Sequence, residues 1–408
     1  MIPAEALPVK TAAALPLLEG ICVLDLTTSI AGPYATQLLA DMGATVVKVE
    51  KPGRGDDCRA WGPPFLDGES LWYLSVNRNK HSVTLDFSTA EGHALLSRLV
   101  SQCHVVVNNL VPRAQARLKV DYRTLRTLRE DLIHVSITGF GLHGARADLA
   151  CYDLIAEGYS GVMDLTGEPD SPPQKVGTPA ADMLAGQDAA MAVLAALFRH
   201  ARDGKGCQID ISMVESMTRF LGPRILPYLG SGEVPRRSGG RDSVIAIYQV
   251  FDTADLPMTL ALGNDAIWQR FWAAVGEPQR AFDPARATNA QRREHRAAIV
   301  EEIAGVLKAH PRAHWLDLLA RARVPAGPIN RIDEVARDSE LQARGFLYAF
   351  ERNGFRAPQV GLGIQFDGQA EGCAKAPPRL GEDNAAVYGE WLGLTTDEIA
   401  QLQENRII

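Results

Sequence analysis

Short runs rich in valine and isoleucine, each bounded by polar or turn residues, alternate with helical patterns through the first half of this chain. Ile21–Leu26, Ala44–Val49, Ser82–Phe87, His104–Leu110 and Ile133–Thr138 read as strands. Several are apolar almost throughout, as parallel strands covered on both faces must be. Pro33 can open a helix that continues through Tyr34–Met42 and closes at Gly43. Ser88-x-x-Glu91 forms a capping box ahead of Gly92–Ser101. Asp182 begins the longest helical pattern, Met183–Arg202, which stops at Gly204 before the strand Cys207–Met213. This order predicts an α/β fold with a doubly wound, Rossmann-like parallel sheet.

After about residue 220 the texture changes. A Gly-, Pro- and Arg-rich connection, Gly222–Gly240, leads to two short strand patterns, Ile245–Phe251 and Met258–Leu262. Amphipathic helices follow at Ala266–Val275, Arg292–Ala309 and His314–Ala322, an α+β pattern. Beyond Val324–Asn330 the tail returns to short helices and ends in Thr396–Glu404.

At 408 residues, 46% apolar and 22% charged, the chain can bury a sizeable core without disulfides or metal. Its net charge of −7 argues against nucleic acid as a partner. Arg123–Arg129, Arg236–Arg241 and Arg292–Arg296 are basic clusters too short to change that, and read as solvated faces. Cys22, Cys58, Cys103, Cys151, Cys207 and Cys373 are scattered without zinc spacing, as reduced structural thiols would be. No apolar run approaches membrane-spanning length, and Met1–Pro16 lacks the layout of a signal peptide or an arginine-rich presequence. The expectation is a cytoplasmic enzyme with no membrane partner.

Gly139-Phe140-Gly141-Leu142-His143-Gly144 matches G-x-G-x-x-G after a strand. Arg146 and Asp148 interrupt the place where a dinucleotide-binding helix would begin, and no acidic residue closes the next strand. A nicotinamide site is therefore not expected; a loop touching another ligand is. His104, His134 and His143 have no nucleophile paired with them and read as strand-end or loop residues. Asp182 reads first as a helix N-cap. The same position would keep its carboxylate ionised by the helix dipole, and an ionised carboxylate can attack a thioester.

The run Leu18-Glu19-Gly20-Ile21-Cys22-Val23-Leu24-Asp25-Leu26-Thr27 with Ala31-Gly32-Pro33 resembles the N-terminal signature of the class III CoA-transferases, the CaiB/BaiF type. Further matches are Gly43-Ala44-x-Val46-Val47-Lys48-Val49-Glu50, Asn77-Arg78-Asn79-Lys80 and Ile137-Thr138-Gly139-Phe140-Gly141. Val176-Gly177-x-Pro179-x-x-Asp182-x-x-x-Gly186, Gly204-Lys205-Gly206, Val324-Pro325-Ala326-Gly327-Pro328 and Leu380-Gly381-Glu382 continue it in order along nearly the whole chain.

The resemblance implies that Asp182 is the catalytic nucleophile, and that coenzyme A and acyl-CoA are substrates with no cofactor tightly bound. CoA-binding positions of relatives fall on Ile30, Ala31, Lys51, Leu85, Ser88, Asn109, Leu110, Arg117 and Ala150. Formyl-CoA transferase has glutamine where Ile30 stands and lysines at Ser88 and Ala150, a departure that points away from oxalate or formate. Lys51 and Arg117 suit phosphate. Substrate-facing candidates are Gly139, Phe140, Tyr152, Gly239 and Gly240; the 236–241 loop resembles a glycine-rich lid whose arginines could grip a distal carboxylate. No metal is implied.

Racemases of this family pair the aspartate with a histidine, and that place is taken by Tyr152 before Asp153. Tyrosine, with a pKa of about 10, is a poor base for α-proton exchange. The expected reaction is CoA transfer through an aspartyl-CoA thioester, with backbone N–H groups near Gly139–Gly141 steadying oxyanions. Across its first half the chain is similar to the succinate–hydroxymethylglutarate branch, which implies a succinyl-CoA donor and a small dicarboxylate acceptor. Racemization and non-catalytic acyl-CoA binding are the alternatives. The resemblance further implies an interlocked homodimer. Its large domain would comprise residues 1–221 and the tail 335–408, and its small domain residues 222–334.

Overall fold

The computed structural model describes residues 3–10, 15–352, 355–370 and 375–408; Cys373 lies outside them. Six strands form one parallel sheet: β1 (Cys22–Asp25), β2 (Thr45–Glu50), β3 (Lys80–Thr84), β4 (Val105–Asn108), β5 (Ile133–Thr138) and β6 (Cys207–Ser212). Their order is β3-β2-β1-β4-β5-β6. Every residue of β4 and β5 is buried, as in a sheet covered on both faces, and the polar Asn108, His134 and Ser136 are buried with the valines and isoleucines. Register is set by pairs such as Val23 with Val46 on one side and Val23 with Val105 on the other.

The direction of winding reverses between β1 and β4, so a crevice opens at the carboxyl ends of these two strands. Residues 26–31 follow β1 at this crevice, and Asn109 and Leu110 follow β4. Helices cover the sheet: α1 (Ala31–Asp41), α2 (Ala90–Gln102), α3 (Pro112–Leu118), α4 (Asp153–Ser160), α5 (Ala180–Asp203) and α6 (Met213–Phe220). Helix α2 is capped by Thr89, whose hydroxyl accepts the Gly92 N–H at 3.0 Å. Ser88, expected to be the cap, instead turns its hydroxyl to Asp86.

Helix α5 contradicts one expectation. By length and composition it is apolar enough to cross a membrane, with a mean hydropathy of 1.3 in its most apolar window. Alanines supply that character, and Ala181, Ala185, Gly186, Ala189 and Ala190 are buried. They form a small-residue face against α1: a Cβ on Gly186 would lie 2.8 Å from the Ala31 carbonyl oxygen and 2.9 Å from the Tyr34 ring. One small-residue face of the helix packs into the fold against α1, while Met191 and Phe198 on another face are exposed.

The chain forms two compact units: residues 1–162, 175–230 and 337–408, and residues 163–174 with 231–336. In the first, the C-terminal segment covers the β3 edge. Asp383 and Asn384 accept the Ser82 and Thr84 N–H groups, and the Asp86 N–H donates to the Ile407 carbonyl at 2.7 Å. An open strand edge is thereby paired. The second unit has an antiparallel sheet of β7 (Tyr248–Phe251), β8 (Met258–Ala261) and β9 (Ala326–Pro328). Its core includes Trp268, Phe271, Trp272, Ile303 and Leu319. The single helix expected over Arg292–Ala309 breaks at His295. There the buried Arg292 guanidinium turns to the carbonyls of Arg286 and Ala287 and to Asp265.

Candidate active site

Asp182 lies in the first turn of α5, two residues past the helix start, so it is not the cap that its sequence suggested. The capping is done from outside. Asp153, the first residue of α4, accepts the N–H groups of Ala181 at 2.8 Å and Asp182 at 3.3 Å on one carboxylate oxygen. The free donors that would have held Asp182 ionised are thus spent on another carboxylate.

Burial pushes the Asp182 carboxyl up, Asp153 beside it adds to the rise, and a hydrogen bond from the Ala31 backbone N–H offsets part of it; the net value is about 7. This overturns the expectation of a carboxylate kept firmly ionised by the dipole. The group is shared between acid and base near neutrality and carries a more basic oxygen than an ordinary aspartate.

The loop after β5 closes around the same place. Gly139 packs so tightly on Cys151 that a Cβ would lie 2.1 Å from the cysteine's Cβ, so no side chain fits there. The Cys151 thiol faces Asp182 and is pushed up to about 11, by burial first and that carboxylate second. Phe140 stacks edge-on against Tyr159, and Tyr152 is 64% exposed at the start of α4. The Leu142 N–H is taken by Asp210 at 2.9 Å. No helix opens after Gly144; turns lead from it to α4.

The CoA-binding candidates follow the carboxyl edge of the sheet. Asn109 grips the main chain of Thr28 in both directions, at 3.1 and 2.8 Å, bridging the ends of β1 and β4. Ile30 is 3% exposed and packs with Tyr73, Leu74 and Val76, while Leu85 is fully buried. Only the main chains of these two can meet a ligand. Leu110 is half-buried, and Arg117 on α3, Ala150 and Ser88 are exposed. Lys51 and Ser88 line one cavity of about 690 Å³ together with Gly53, Asp86, Gln403 and Arg406. Gln403 and Arg406 carried no sequence signal, because they reach this place only through the return of the tail. Asp153 was visible only as the neighbour of Tyr152.

Gly239 and Gly240 belong to the second unit. There the Gly239 N–H donates to the Gly167 carbonyl, and its φ of +60° beside the Glu168 carboxylate leaves no room for a side chain. Arg237, one of the loop arginines that could grip a carboxylate, pairs with Asp164 at 3.1 Å. Among the described residues no cluster of His, Cys, Asp and Glu is placed to hold a metal ion. His104 and His134 make main-chain hydrogen bonds, to Cys22 and Val120. The described cysteines are free thiols.

A family model described as CoA-transferase family III matches residues 18–384. The chain is similar to the succinate–glutarate CoA-transferase of Agrobacterium fabrum, 40% identical over 92% of this chain and 96% of that protein. It is 32% identical to the human succinyl-CoA:glutarate CoA-transferase, over 94% of this chain and 88% of that one. A CaiB/BaiF family protein from Brucella suis superposes with a TM-score of 0.81 at 37% identity, covering 93% of this chain and all of that one. With a buried carboxylate on the first turn of its longest helix, a doubly wound sheet and relatives matched along almost their full lengths, the chain belongs to CoA-transferase family III, and it is an enzyme that transfers coenzyme A to a carboxylic acid.

Proposed function

We propose that this enzyme carries CoA between dicarboxylic acids by a covalent route through Asp182, with succinyl-CoA as donor and a small dicarboxylate such as glutarate as acceptor. The observation that carries this reading is the Asp182 carboxyl itself: desolvated, beside Asp153 and hydrogen-bonded by the Ala31 N–H. A carboxylate of raised basicity is a better nucleophile toward a thioester than an ordinary one, while about half of it stays ionised at neutral pH.

The ionised Asp182 oxygen adds to the donor thioester carbonyl and expels CoA thiolate, leaving a mixed anhydride. The thiolate adds to the aspartyl carbonyl, and the donor acid departs as its carboxylate, leaving an aspartyl-CoA thioester. The acceptor carboxylate then attacks that thioester, expelling thiolate and forming a second anhydride. Thiolate attack on the acceptor's acyl carbon forms the new acyl-CoA and frees Asp182. Negative charge gathers on the aspartyl carbonyl oxygen in the second and third additions, where the Ala31 N–H can meet it, and on the donor's and the acceptor's own carbonyl oxygens in the first and last. Every step conserves the thioester's free energy, so no nucleotide is consumed.

The names of the relatives from Agrobacterium and man support the choice of acids. Lys51, Ser88 and Arg406 are proposed to hold the phosphates of CoA at the ends of β2 and β3. Action as a homodimer in a reducing compartment completes the proposal, in keeping with apolar side chains such as Met191 and Phe198 exposed on α5.

The test is mass spectrometry after incubation with succinyl-CoA and quenching with hydroxylamine or borohydride. An adduct on Asp182 that is lost in Asp182→Asn is the expected result. Absence of any adduct, with α-proton exchange on a branched acyl-CoA, would transfer the enzyme to racemase chemistry in spite of Tyr152.

A further inference from the structure

Ser29 has a φ of +70°, left-handed backbone that a residue with a Cβ seldom adopts. Something must hold it there, and a buried ion pair does so from both sides. The Ser29 N–H donates to one oxygen of Asp56 at 2.9 Å. The other oxygen of Asp56 lies 2.9 Å from Lys48 Nζ, both side chains being fully buried. Lys48 Nζ in turn donates to the Thr27 carbonyl at 2.8 Å. One pair therefore grips the turn by a carbonyl at Thr27 and by an N–H at Ser29. Asn109 holds Thr28 between them, and Asp25 accepts the Thr27 N–H. Two residues after Ser29, helix α1 begins at Ala31, whose carbonyl lies against Gly186 of α5, one turn past Asp182.

We propose that Asp56, with Lys48, is a positioning residue for CoA transfer: the pair locks the Thr27–Ala31 turn in the backbone conformation that aims the Ala31 N–H at Asp182. This rests on the assignment of Asp182 as nucleophile. Neither Asp56 nor Lys48 touches the reacting atoms; both act through the main chain of the turn. The alternative role, stabilising the sheet alone, would place no demand on the conformation of Ser29. The ionisable groups facing Asp182 are Asp153 on α4 and Cys151 before it, whereas the Tyr34 hydroxyl on α1 is paired with Gln187. Release of the Ala31 N–H removes a donor that favours the ionised form, and Asp182 must then titrate at higher pH.

The experiment compares wild type with Asp56→Ala, Asp56→Asn, Ser29→Val and the double variant Asp56→Ala/Ser29→Gly, with rates referred to folded enzyme. Asp56→Ala is expected to lower kcat by about 10- to 100-fold with little change in KM for the acyl-CoA. Its Asp182 midpoint, read directly by carbon-13 NMR of the carboxyl in free enzyme, should rise by about half a unit or more. Asp56→Asn keeps an oxygen on the Ser29 N–H and should stay near wild type in midpoint. Glycine accepts φ of +70° unaided, so Ser29→Gly should restore kcat about fivefold or more in the Asp56→Ala background. Ser29→Val leaves the buried pair intact, disfavours the turn directly, and should reproduce the Asp56→Ala phenotype even if Asp56→Ala itself does not fold. An unchanged Asp182 midpoint in Ser29→Val and Asp56→Ala, or no rescue by glycine, overturns the proposal. The NMR midpoint does not depend on a covalent intermediate, so it decides the positioning role even if the mass-spectrometric test of Asp182 fails.

Discussion

At Asp182, burial and a neighbouring carboxylate pull against a single backbone N–H, and the first two win. The consequence is a pH dependence with a defined sign. Transfer requires the ionised form, so kcat/KM should fall as pH drops through about 7. Asp153→Asn keeps the oxygen that caps the first turn of α5 but removes the like charge. The acid limb should therefore move to lower pH, by about half a unit to one unit, in a pH–rate profile. A shift to higher pH would mean that the cap, rather than the charge, governs this carboxyl. Residue type and helix start were legible in the sequence; the protonation state was not. Asp153 stands 29 residues away along the chain, and its charge reaches Asp182 through space.

Among the elements, the contact of α1 with α5 decides whether the site exists. Small residues let the two helices approach until the Gly186 Cα lies against the Ala31 carbonyl and Tyr34. In an exposed helix, replacing glycine by alanine gains up to about 1 kcal/mol of helix propensity. Here the added methyl would meet main-chain oxygen at 2.8 Å, and overpacking costs about 1–3 kcal/mol. Gly186→Ala should therefore lower stability in denaturant unfolding, and lower kcat as well, because the strain falls on the turn that presents the Ala31 N–H. The sequence pattern located both helices to within a few residues. It misassigned the cap of α2 to Ser88 and ran one helix through His295, since in both places a neighbouring side chain outcompeted the local motif.

On the scale of the whole chain, the tail completes what the first half begins. It pairs the β3 edge and brings Gln403 and Arg406 to the cavity that holds Lys51 and Ser88. Arg406→Gln should raise the KM for acyl-CoA about three- to tenfold with kcat held, as expected for one exposed phosphate contact. The penalty should shrink for a dephospho-CoA thioester if the 3′-phosphate is the partner, and steady-state kinetics with both thioesters checks this. The alternation of strand and helix, their parallel winding and the position of Asp182 at the start of the longest helix were determined by the sequence alone, because periodicity and turn residues encode local geometry directly. The tertiary structure decided which N–H meets Asp182, which carboxylate raises it, and which tail residues share a cavity with the CoA candidates. Those are properties of distance and solvent exclusion, and groups remote along the chain acquire them only when the sheet closes and the tail returns.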